Sequence, residues 1–324
     1  MRSGDFDAAW RLSDLALARR SSGASEWNRP RHLQQIWTGA PLSNQRVLVR
    51  CYHGLGDTIQ FVRLLEPLRR EAREVIVWAQ PELLLLIRTA RGVDRTLPLH
   101  DGAPGIVYDR DIEIMELPHA LRVNLETLPR TVPYLHPPKA EWKMPAVPAQ
   151  LRVGLVWRGG NWDRRRSVPL EMMARLAGIS GVELFSLQHD AQPHELAVLG
   201  ATDLTGSGIT ELAARMLALD LVISIDTMAA HLSGALARPT WTMLHADCDW
   251  RWMTGRRDTP WYPTMHLFRQ PRPGDWGAVV DEIADALAKI VRAVTPPGVD
   301  HTTHPAETSR ESVDVRNLCL SARV

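Results

Sequence analysis

Hydrophobic residues recur at helical spacing over the first twenty positions of the chain, and residues 5–20 therefore predict one amphipathic helix. The polar stretch 21–31 ends this pattern. An isolated helix of this length cannot bury its apolar stripe, so it must pack on the segments that follow or on a missing neighbour. We assign residues 1–40 to this N-terminal helical segment.

Short apolar runs alternate with segments of helical spacing from Arg46 onward. This alternation predicts a parallel sheet covered by helices. Five prolines between positions 133 and 148 interrupt the periodicity and are typical of an interdomain linker. The first α/β domain is therefore placed at 41–145, with predicted strands at 47–49, 74–78, 95–97 and 112–115.

A second alternating unit follows the prolines, and we place it at 146–294. Its predicted strands are 151–157, 182–187, 221–225 and 240–244, and its predicted helices are 169–177, 210–219, 227–236 and 276–292. The remaining residues, 295–324, are polar, aperiodic and rich in Pro, Thr and Ser, which is typical of a disordered tail. The whole pattern predicts an α/β protein with two doubly wound domains that face each other across a cleft.

The composition narrows the possible functions. In this 324-residue chain 38 Lys and Arg residues nearly balance 37 Asp and Glu residues, so a net charge of +1 gives no global attraction to nucleic acid or to an anionic membrane. The densest apolar run, 83–87, is far shorter than a membrane-spanning helix, and the first twenty residues lack the apolar core of a signal peptide. No CxxC pair occurs, which disfavours a disulfide framework or a cysteine zinc site. We expect a cytoplasmic protein with no transmembrane segment and no nucleic-acid partner.

A glycine-rich turn, 54–58, lies between a predicted strand and a predicted helix. Open parallel sheets bind their ligands at the carboxyl ends of strands, and Gly54 and Gly56 allow the backbone to approach a ligand closely. Asp57 either caps the helix or projects into the cleft. The turn lacks the third glycine of a dinucleotide fingerprint and the Lys-Ser/Thr ending of a P-loop.

A second candidate motif runs from Ser224 to His231. Asp226 ends a buried strand, where its carboxylate is placed to hold a sugar or ribose hydroxyl. Thr227 and His231 are four residues apart and share one face of the helix that follows. The exposed N–H groups at a helix start favour phosphate. The alternative is a capped helix with a packed, hydrogen-bonded His231.

The loop 158–167 supplies a third candidate, because it follows the first strand of the second domain and combines Gly159-Gly160 with three consecutive arginines. Arginine side chains suit bidentate contacts with phosphate, and paired glycines permit an anion-binding backbone nest. The alternative is a solvated run of charge.

Two Asp-x-Asp triplets, 109–111 and 247–249, imitate the metal-binding pair of metal-dependent sugar transferases. Two carboxylates are a minimal ligand set for Mg²⁺ or Mn²⁺. However, the triplet is short, and Asp249 is well placed to cap a helix that begins at Trp250. No HExxH or GxSxG motif is present, so neither a zinc enzyme nor a serine hydrolase is favoured.

The motifs and their order along this chain resemble those of one group of proteins. The strings GLGDTIQFVRLLEPL, RVGLVWRGG, LDLVISIDTMAAHLSGALARPTW and DWRWMTGRRDTPWYPTMHLFRQ resemble bacterial glycosyltransferases that usually follow tetratricopeptide repeats. That group is similar to the heptosyltransferases of family 9 and, more remotely, to the O-linked N-acetylglucosamine transferases of family 41. The resemblance covers about residues 36–292, and the helix at 5–20 resembles the last helix of a tetratricopeptide array.

This resemblance implies a GT-B fold, with two Rossmann-like domains, a nucleotide-diphosphate sugar as co-substrate and no metal or other cofactor. It places Asp57 at the general-base position, and Asp57, or His53 beside it, is the expected catalytic residue that removes the proton from an acceptor hydroxyl. Relatives often read Glu-Gln where this chain reads Tyr52-His53. It also implies a donor site in which Asp226, Thr227 and His231, together with the arginine loop 158–167, hold the nucleotide sugar. The implied donor-binding residues are Gly54, Gly56, Arg158, Arg164, Arg166, Ser167, Gln188, Asp226, Thr227, Met228 and His231.

The resulting expectation is a metal-independent, inverting glycosyltransferase that moves a hexosyl, heptosyl or N-acetylglucosaminyl group. The acceptor would be a glycan, a lipopolysaccharide core or a protein. One alternative is a catalytically degenerate module that only binds nucleotide sugar or glycan. A second is a metal-dependent transferase that uses Asp247 and Asp249.

Overall fold

The protein is described here by a computed structural model, which defines residues 1–20, 28–139, 142–144, 151–160 and 163–294. The predicted disordered tail, 295–324, lies outside the described residues, as does part of the predicted proline linker.

The N-terminal helix is present as predicted. Helix α1 spans Phe6–Arg19, and the Asp5 side chain caps it by accepting the N–H of Ala8 at 2.8 Å. Its buried face carries Phe6 and Trp10, and the Trp10 indole donates to the carbonyl oxygen of Val123 at 2.7 Å. The helix therefore packs on later segments of the same chain.

The first sheet is fully parallel, with strand order β3-β2-β1-β4. The predicted strand at 112–115 was misplaced, because the Glu113 side chain accepts the N–H of Met115 and starts a 3₁₀ turn there. The strands are Arg46–Arg50 (β1), Glu74–Ala79 (β2), Arg95–Pro98 (β3) and Arg110–Glu113 (β4), and the helices are Leu55–Phe61 (α2), Leu65–Glu71 (α3), Leu84–Ile87 (α4) and Leu117–Ala120 (α5).

The second sheet is also parallel, with strand order β10-β9-β8-β5-β6-β7. Its strands are Leu151–Val156 (β5), Val182–Ser186 (β6), Thr202–Asp203 (β7), Leu221–Ile225 (β8), Thr240–Leu244 (β9) and Met265–Arg269 (β10). Its helices are Leu170–Met173 (α6), Pro193–Leu199 (α7), Ile209–Met216 (α8), Met228–Ala235 (α9) and Trp276–Val294 (α10). The bounds of β8 and β9 agree with the prediction, whereas β7, β10 and α7 were not predicted.

Both sheets are wound outward from a central pair of strands. The switch in winding direction falls between β1 and β4 in the first sheet and between β5 and β8 in the second. In doubly wound sheets the crevice at the carboxyl ends of these strands is where ligands bind. The topology therefore marks the segments after β1, β4, β5 and β8 as candidate ligand-binding positions.

A cluster around Arg63 joins the two halves of the molecule. The buried Arg63 guanidinium donates to the Tyr134 hydroxyl at 2.8 Å and to the Trp261 carbonyl oxygen. It also lies over the rings of Tyr134 and Tyr262, at 4.4 and 4.5 Å from the ring centroids. Phe61 meets Trp261 edge-on at 5.7 Å. These contacts fix the two sheets relative to each other behind the crevice.

None of the helices among the described residues combines the length and the apolar composition that a bilayer-spanning segment needs.

Candidate active site

The starts of helices α2 and α9 meet at Gly56. A Cβ atom added to Gly56 would lie 2.9 Å from Cδ2 of His231 and 3.3 Å from Cα of Met228. Any larger side chain would push these helix starts apart. Gly56 is therefore needed for close approach of the two halves, whereas the sequence predicted close approach to a ligand.

The crevice between the two sheets has a volume of about 470 Å³. Most of the predicted site residues line it, namely Gly54, Gly56, Asp57, Arg158, Arg166, Gln188, Asp226, Thr227, Met228 and His231. His53, Arg164 and Ser167 are not among the described residues that line it. The crevice also takes in Arg251, which the sequence did not predict, and Asp249, which the sequence analysis considered only as a helix cap or a metal ligand.

Asp57 is held from both sides. Gly54, not Asp57, is the N-cap residue of α2, and Asp57 occupies the third helical position, where its Oδ2 accepts the Gly54 N–H at 3.1 Å. Its Oδ1 accepts from the Arg251 guanidinium at 2.5 Å. Both possibilities for this carboxylate are therefore realised, since it binds a backbone amide of the helix start and lies in the cleft.

Arg251 links the two walls of the crevice. Its guanidinium is 10% exposed and pairs with Asp57 of the first half and, at 2.9 Å, with Asp249 of the second. Its charge also lies near Asp226, and the neighbouring carboxylates outweigh the cost of burial and raise the pKa of Arg251. The sequence signal for this residue was weak, because it is a single arginine between two tryptophans.

His231 is a packed, neutral histidine. Its Nδ1 lies 2.9 Å from the Tyr262 hydroxyl, and its ring stacks on Trp252 with a centroid distance of 5.4 Å. Burial, together with the charges of Arg251 and two other arginines, holds the pKa of His231 well below its ordinary value. Gly234 makes this arrangement possible, because a Cβ there would lie 2.4 Å from the Tyr262 ring.

Helix α9 begins without a side-chain cap. Thr227 is its N-cap residue, and the Thr227 side chain makes no capping hydrogen bond to the first turn. The first N–H groups of a helix have no partner within the helix, and the helix dipole adds positive potential there. Thr227, Met228 and Ala229 line the crevice. This helix start is therefore a ready anion-binding position at the switch point of the second sheet.

Asp226 lies beside that helix start. Burial raises the pKa of its carboxyl group, although the charges of Arg251 and Arg166 oppose this effect. The main-chain oxygen of Asp226 accepts from the Arg166 guanidinium at 2.6 Å. This contact ties the arginine loop to the end of β8.

The predicted arginine loop contributes unequally to the crevice. Arg158 lines it, but its guanidinium is paired with Glu195 and, at 3.2 Å, with Asp190. Arg164 is exposed to solvent. Two other predicted residues make structural hydrogen bonds. The Ser167 hydroxyl accepts the N–H of Gly159 at 3.1 Å, and Oε1 of Gln188, which follows β6, accepts the N–H groups of Trp157 at 3.2 Å and Arg158 at 2.9 Å.

The two Asp-x-Asp triplets are engaged in other contacts. Asp249 caps the 3₁₀ turn Trp250–Trp252, as expected, and Asp247 pairs with Arg2. Asp109 and Asp111 pair with the arginines of β1, Arg46 and Arg50. Within the described part of the chain, no group of three or more His, Cys, Asp or Glu side chains is arranged to hold a metal ion.

His53 forms a pair with a carboxylate that the sequence did not reveal. Its Nδ1 lies 2.9 Å from Oε1 of Glu113, the last residue of β4. Burial alone would lower the pKa of His53, but the hydrogen bond and charge of Glu113, with the charge of Asp57, outweigh it and raise the pKa. The register of the sheet, with Arg50 opposite Glu113, explains how the two residues meet.

The chain is similar to known proteins both in sequence and in fold. No protein-family model matches the sequence. The chain is 26% identical over 297 residues to Protein FlbA of Caulobacter vibrioides, an alignment that covers 78% of this chain and 48% of FlbA. The chain thus spans about half the length of the curated relative it matches.

Similarity to a solved structure identifies the architecture. The glycosyl transferase family 9 structure from Veillonella parvula aligns with a TM-score of 0.54 at 12% identity, covering 78% of this chain and 99% of that one. The fold is GT-B. The two Rossmann-like halves and the crevice between them are therefore confirmed. The structure titled E. coli heptosyltransferase WaaC with ADP aligns with a TM-score of 0.49 at 14% identity, covering 76% of this chain and 99% of that one.

The link to tetratricopeptide proteins and to family 41 stays a prediction. The domain boundaries and the roles of individual site residues are also predictions at this point.

Proposed function

We propose that the protein transfers a sugar from a nucleoside-diphosphate donor to an acceptor hydroxyl group. The observation that carries this proposal is the uncapped start of α9, which faces a crevice at the switch point of the second sheet. Such a position favours a diphosphate, and the GT-B fold supplies a second wall for an acceptor.

We infer that the diphosphate is stabilised by backbone N–H groups of α9. When the bond between sugar and diphosphate breaks, negative charge grows on the departing phosphate oxygen. Fixed dipoles aimed at that oxygen stabilise the transition state. This arrangement supports the metal-independent mechanism, and attack by the acceptor oxygen from the opposite side supports inversion at the anomeric carbon.

The transferred group is proposed to be hexosyl, heptosyl or N-acetylglucosaminyl, and the acceptor to be a glycan, a lipopolysaccharide core or a protein. A cytoplasmic setting remains part of the proposal, since Cys51 and Cys248 are free and buried.

A degenerate binding module is the second candidate. One observation favours it: both oxygens of the Asp57 carboxylate are already engaged, by Gly54 and by Arg251. A protein of this kind would bind nucleotide sugar at α9 without turning it over.

The first test is a thermal-shift screen with UDP-, GDP-, ADP- and dTDP-sugars, followed by an assay for released nucleoside diphosphate. One nucleotide class should raise the melting temperature and release its diphosphate. Turnover that survives EDTA would support the metal-independent mechanism, and loss of turnover in EDTA would favour the metal-dependent alternative. Binding without turnover would identify the degenerate module, and no shift with any donor would overturn the proposal.

Thr227→Asp tests the helix start itself. An aspartate at the N-cap would accept the first-turn N–H groups and occupy the anion position, so the helix stays stable while donor binding is lost. The matched control is Gln192→Asp, which places the same cap on α7, whose N-cap residue also makes no capping bond and lies outside the crevice lining. Equal donor binding by both variants would contradict the assignment.

A further inference from the structure

The first sheet brings a histidine and a buried carboxylate together at its own switch point. The chain leaves β1 at Arg50 and reaches His53 three residues later, while Glu113 ends the neighbouring strand β4 in register with Arg50. Glu113 is 1% exposed, and its oxygens accept the N–H groups of Tyr52 at 3.2 Å and Met115 at 2.6 Å. The carboxylate is thus fixed by two backbone hydrogen bonds, and Nδ1 of His53 lies within ion-pair distance of it, at 2.9 Å.

The main chain of His53 is fixed as well. Its carbonyl oxygen accepts from the Gln80 side chain at 2.7 Å, and Oε1 of that side chain accepts from the Thr58 hydroxyl at 3.1 Å. The imidazole itself is 27% exposed, and the next residue, Gly54, lines the crevice. The ring therefore reaches solvent at the rim of the site while its Nδ1 side is held by Glu113.

The Asp57 carboxylate is more constrained than the His53 ring. Its Oδ2 already accepts from the backbone N–H of Gly54 and its Oδ1 from Arg251, so an acceptor hydroxyl could use only the remaining lone pair of either oxygen. Pairing of Nδ1 with Glu113 favours the imidazole tautomer in which Nδ1 carries the proton. Nε2 of His53 is then left as the proton acceptor.

We infer that His53, oriented by Glu113, accepts the proton of the acceptor hydroxyl, and that Asp57 positions Arg251 between the two walls. The inference rests on the proposed transferase function. In the step, the hydroxyl proton moves to Nε2 of His53 and the acceptor oxygen forms a bond to the anomeric carbon. The bond from that carbon to the diphosphate breaks, and its electron pair leaves with the diphosphate. The imidazolium, paired with Glu113, then releases its proton to water.

This assignment predicts a distinct pH dependence. The charged groups that face His53 are Glu113 of β4, Asp57 of α2 and Arg251 of the turn after β9. Only the neutral imidazole accepts a proton, and the pKa of His53 is raised above its usual value of about 6.5. Turnover should therefore rise with pH through a value above about 6.5, whereas a carboxylate base would place that rise near about pH 4.

The experiment measures release of nucleoside diphosphate against pH for the wild type and for Glu113→Gln, using the donor that the thermal-shift screen identifies. Loss of the carboxylate should move the rise to lower pH and reduce turnover about 10- to 100-fold, and His53→Gln should remove the rise and cost roughly 100-fold or more. The matched control is Asp14→Asn, which breaks a His–carboxylate pair of equal length, 2.9 Å to His119, away from the crevice. It should leave the pH profile unchanged.

A second measurement does not depend on turnover. NMR titration of the His53 ring should give a pKa above about 6.5 in the wild type and a lower value in Glu113→Gln, with melting curves confirming that both are folded. Loss of the rise in Asp57→Asn together with its persistence in His53→Gln would overturn the assignment, as would an unchanged profile in Glu113→Gln. A wild type that turns over no donor would overturn the proposed function itself, while the NMR titration would still report on the His53–Glu113 pair.

Discussion

Replacing Arg251 with methionine removes the positive group that joins Asp57 and Asp249 across the crevice. The methionine keeps much of the side-chain volume, so the change isolates the loss of charge and of two ion pairs, at 2.5 and 2.9 Å. Removing one partner of a buried ion pair typically costs about 3–5 kcal/mol of folding free energy, because the other charge stays buried and uncompensated. Asp57 and Asp249 are 26% and 36% exposed, so water can restore part of this loss.

We therefore expect a cost at the lower end of that range, about 3 kcal/mol. The described residues, roughly 280 in all, have an unfolding entropy of about 0.6 kcal/mol per kelvin, so the melting temperature should fall by about 5 °C. The deficit should shrink as the pH is lowered, because protonation of Asp226, whose pKa burial raises, removes one negative charge near the missing guanidinium.

The assay is calorimetric or urea unfolding of the purified protein near pH 7.5 and pH 5. The matched control is Arg256→Met. This change breaks a bidentate ion pair, with both hydrogen bonds to Asp258 at 2.7 Å, and the Asp258 side chain is 71% exposed. Exposed pairs contribute less than about 1 kcal/mol, so the control should lower the melting temperature by less than about 2 °C. If Arg251→Met cost no more than this control, the tie between the two walls would be energetically unimportant and the reasoning refuted.

Three further predictions concern stability. Gly234→Ala should lower the free energy of unfolding by about 1–3 kcal/mol, because the new Cβ would lie 2.4 Å from the Tyr262 ring. Gly208→Ala, with open space around the new Cβ, is the control and should leave the free energy of urea unfolding nearly unchanged. Asp5→Ala should cost about 1 kcal/mol through loss of the α1 cap, measured by thermal melting. His231 is neutral in the folded state but charges in the unfolded chain below about pH 6.5, so stability should fall as pH drops through that value, and His231→Gln should flatten this dependence.

The sequence predicted those elements whose hydrophobic pattern is continuous. Strands β8 and β9 are buried at every position, as parallel strands covered on both faces must be, and their bounds could be predicted to the residue. Strand β7 has two exposed residues, Thr202 and Asp203, and gives no apolar signal at all. It exists only because β6 offers a parallel neighbour, which is tertiary information.

The same distinction explains what was missed in the site. Gly56 could be singled out because it lies in a Gly-x-Gly turn, and Thr227 because it follows a buried strand and begins a helix, but the sequence did not show that Gly56 packs against that helix. Glu113 and Arg251 act through partners 60 and 194 positions away, His53 and Asp57. A lone charge in a sequence looks like a solvated surface group, and nothing short of the fold shows that it is buried against a distant partner.

The charges in the crevice also limit how a donor is held. Three carboxylates, Asp57, Asp226 and Asp249, face three arginines there, so the described lining carries no net charge from these groups. Arg251 is committed to two of the carboxylates and Arg158 to Glu195 and Asp190. A diphosphate that enters this crevice is attracted chiefly by the dipoles at the start of α9. The local backbone geometry fixes these dipoles, and salt screens them less than it screens exposed charges. Donor affinity should therefore depend more on the Thr227 turn than on the number of arginines in the loop that precedes Ser167.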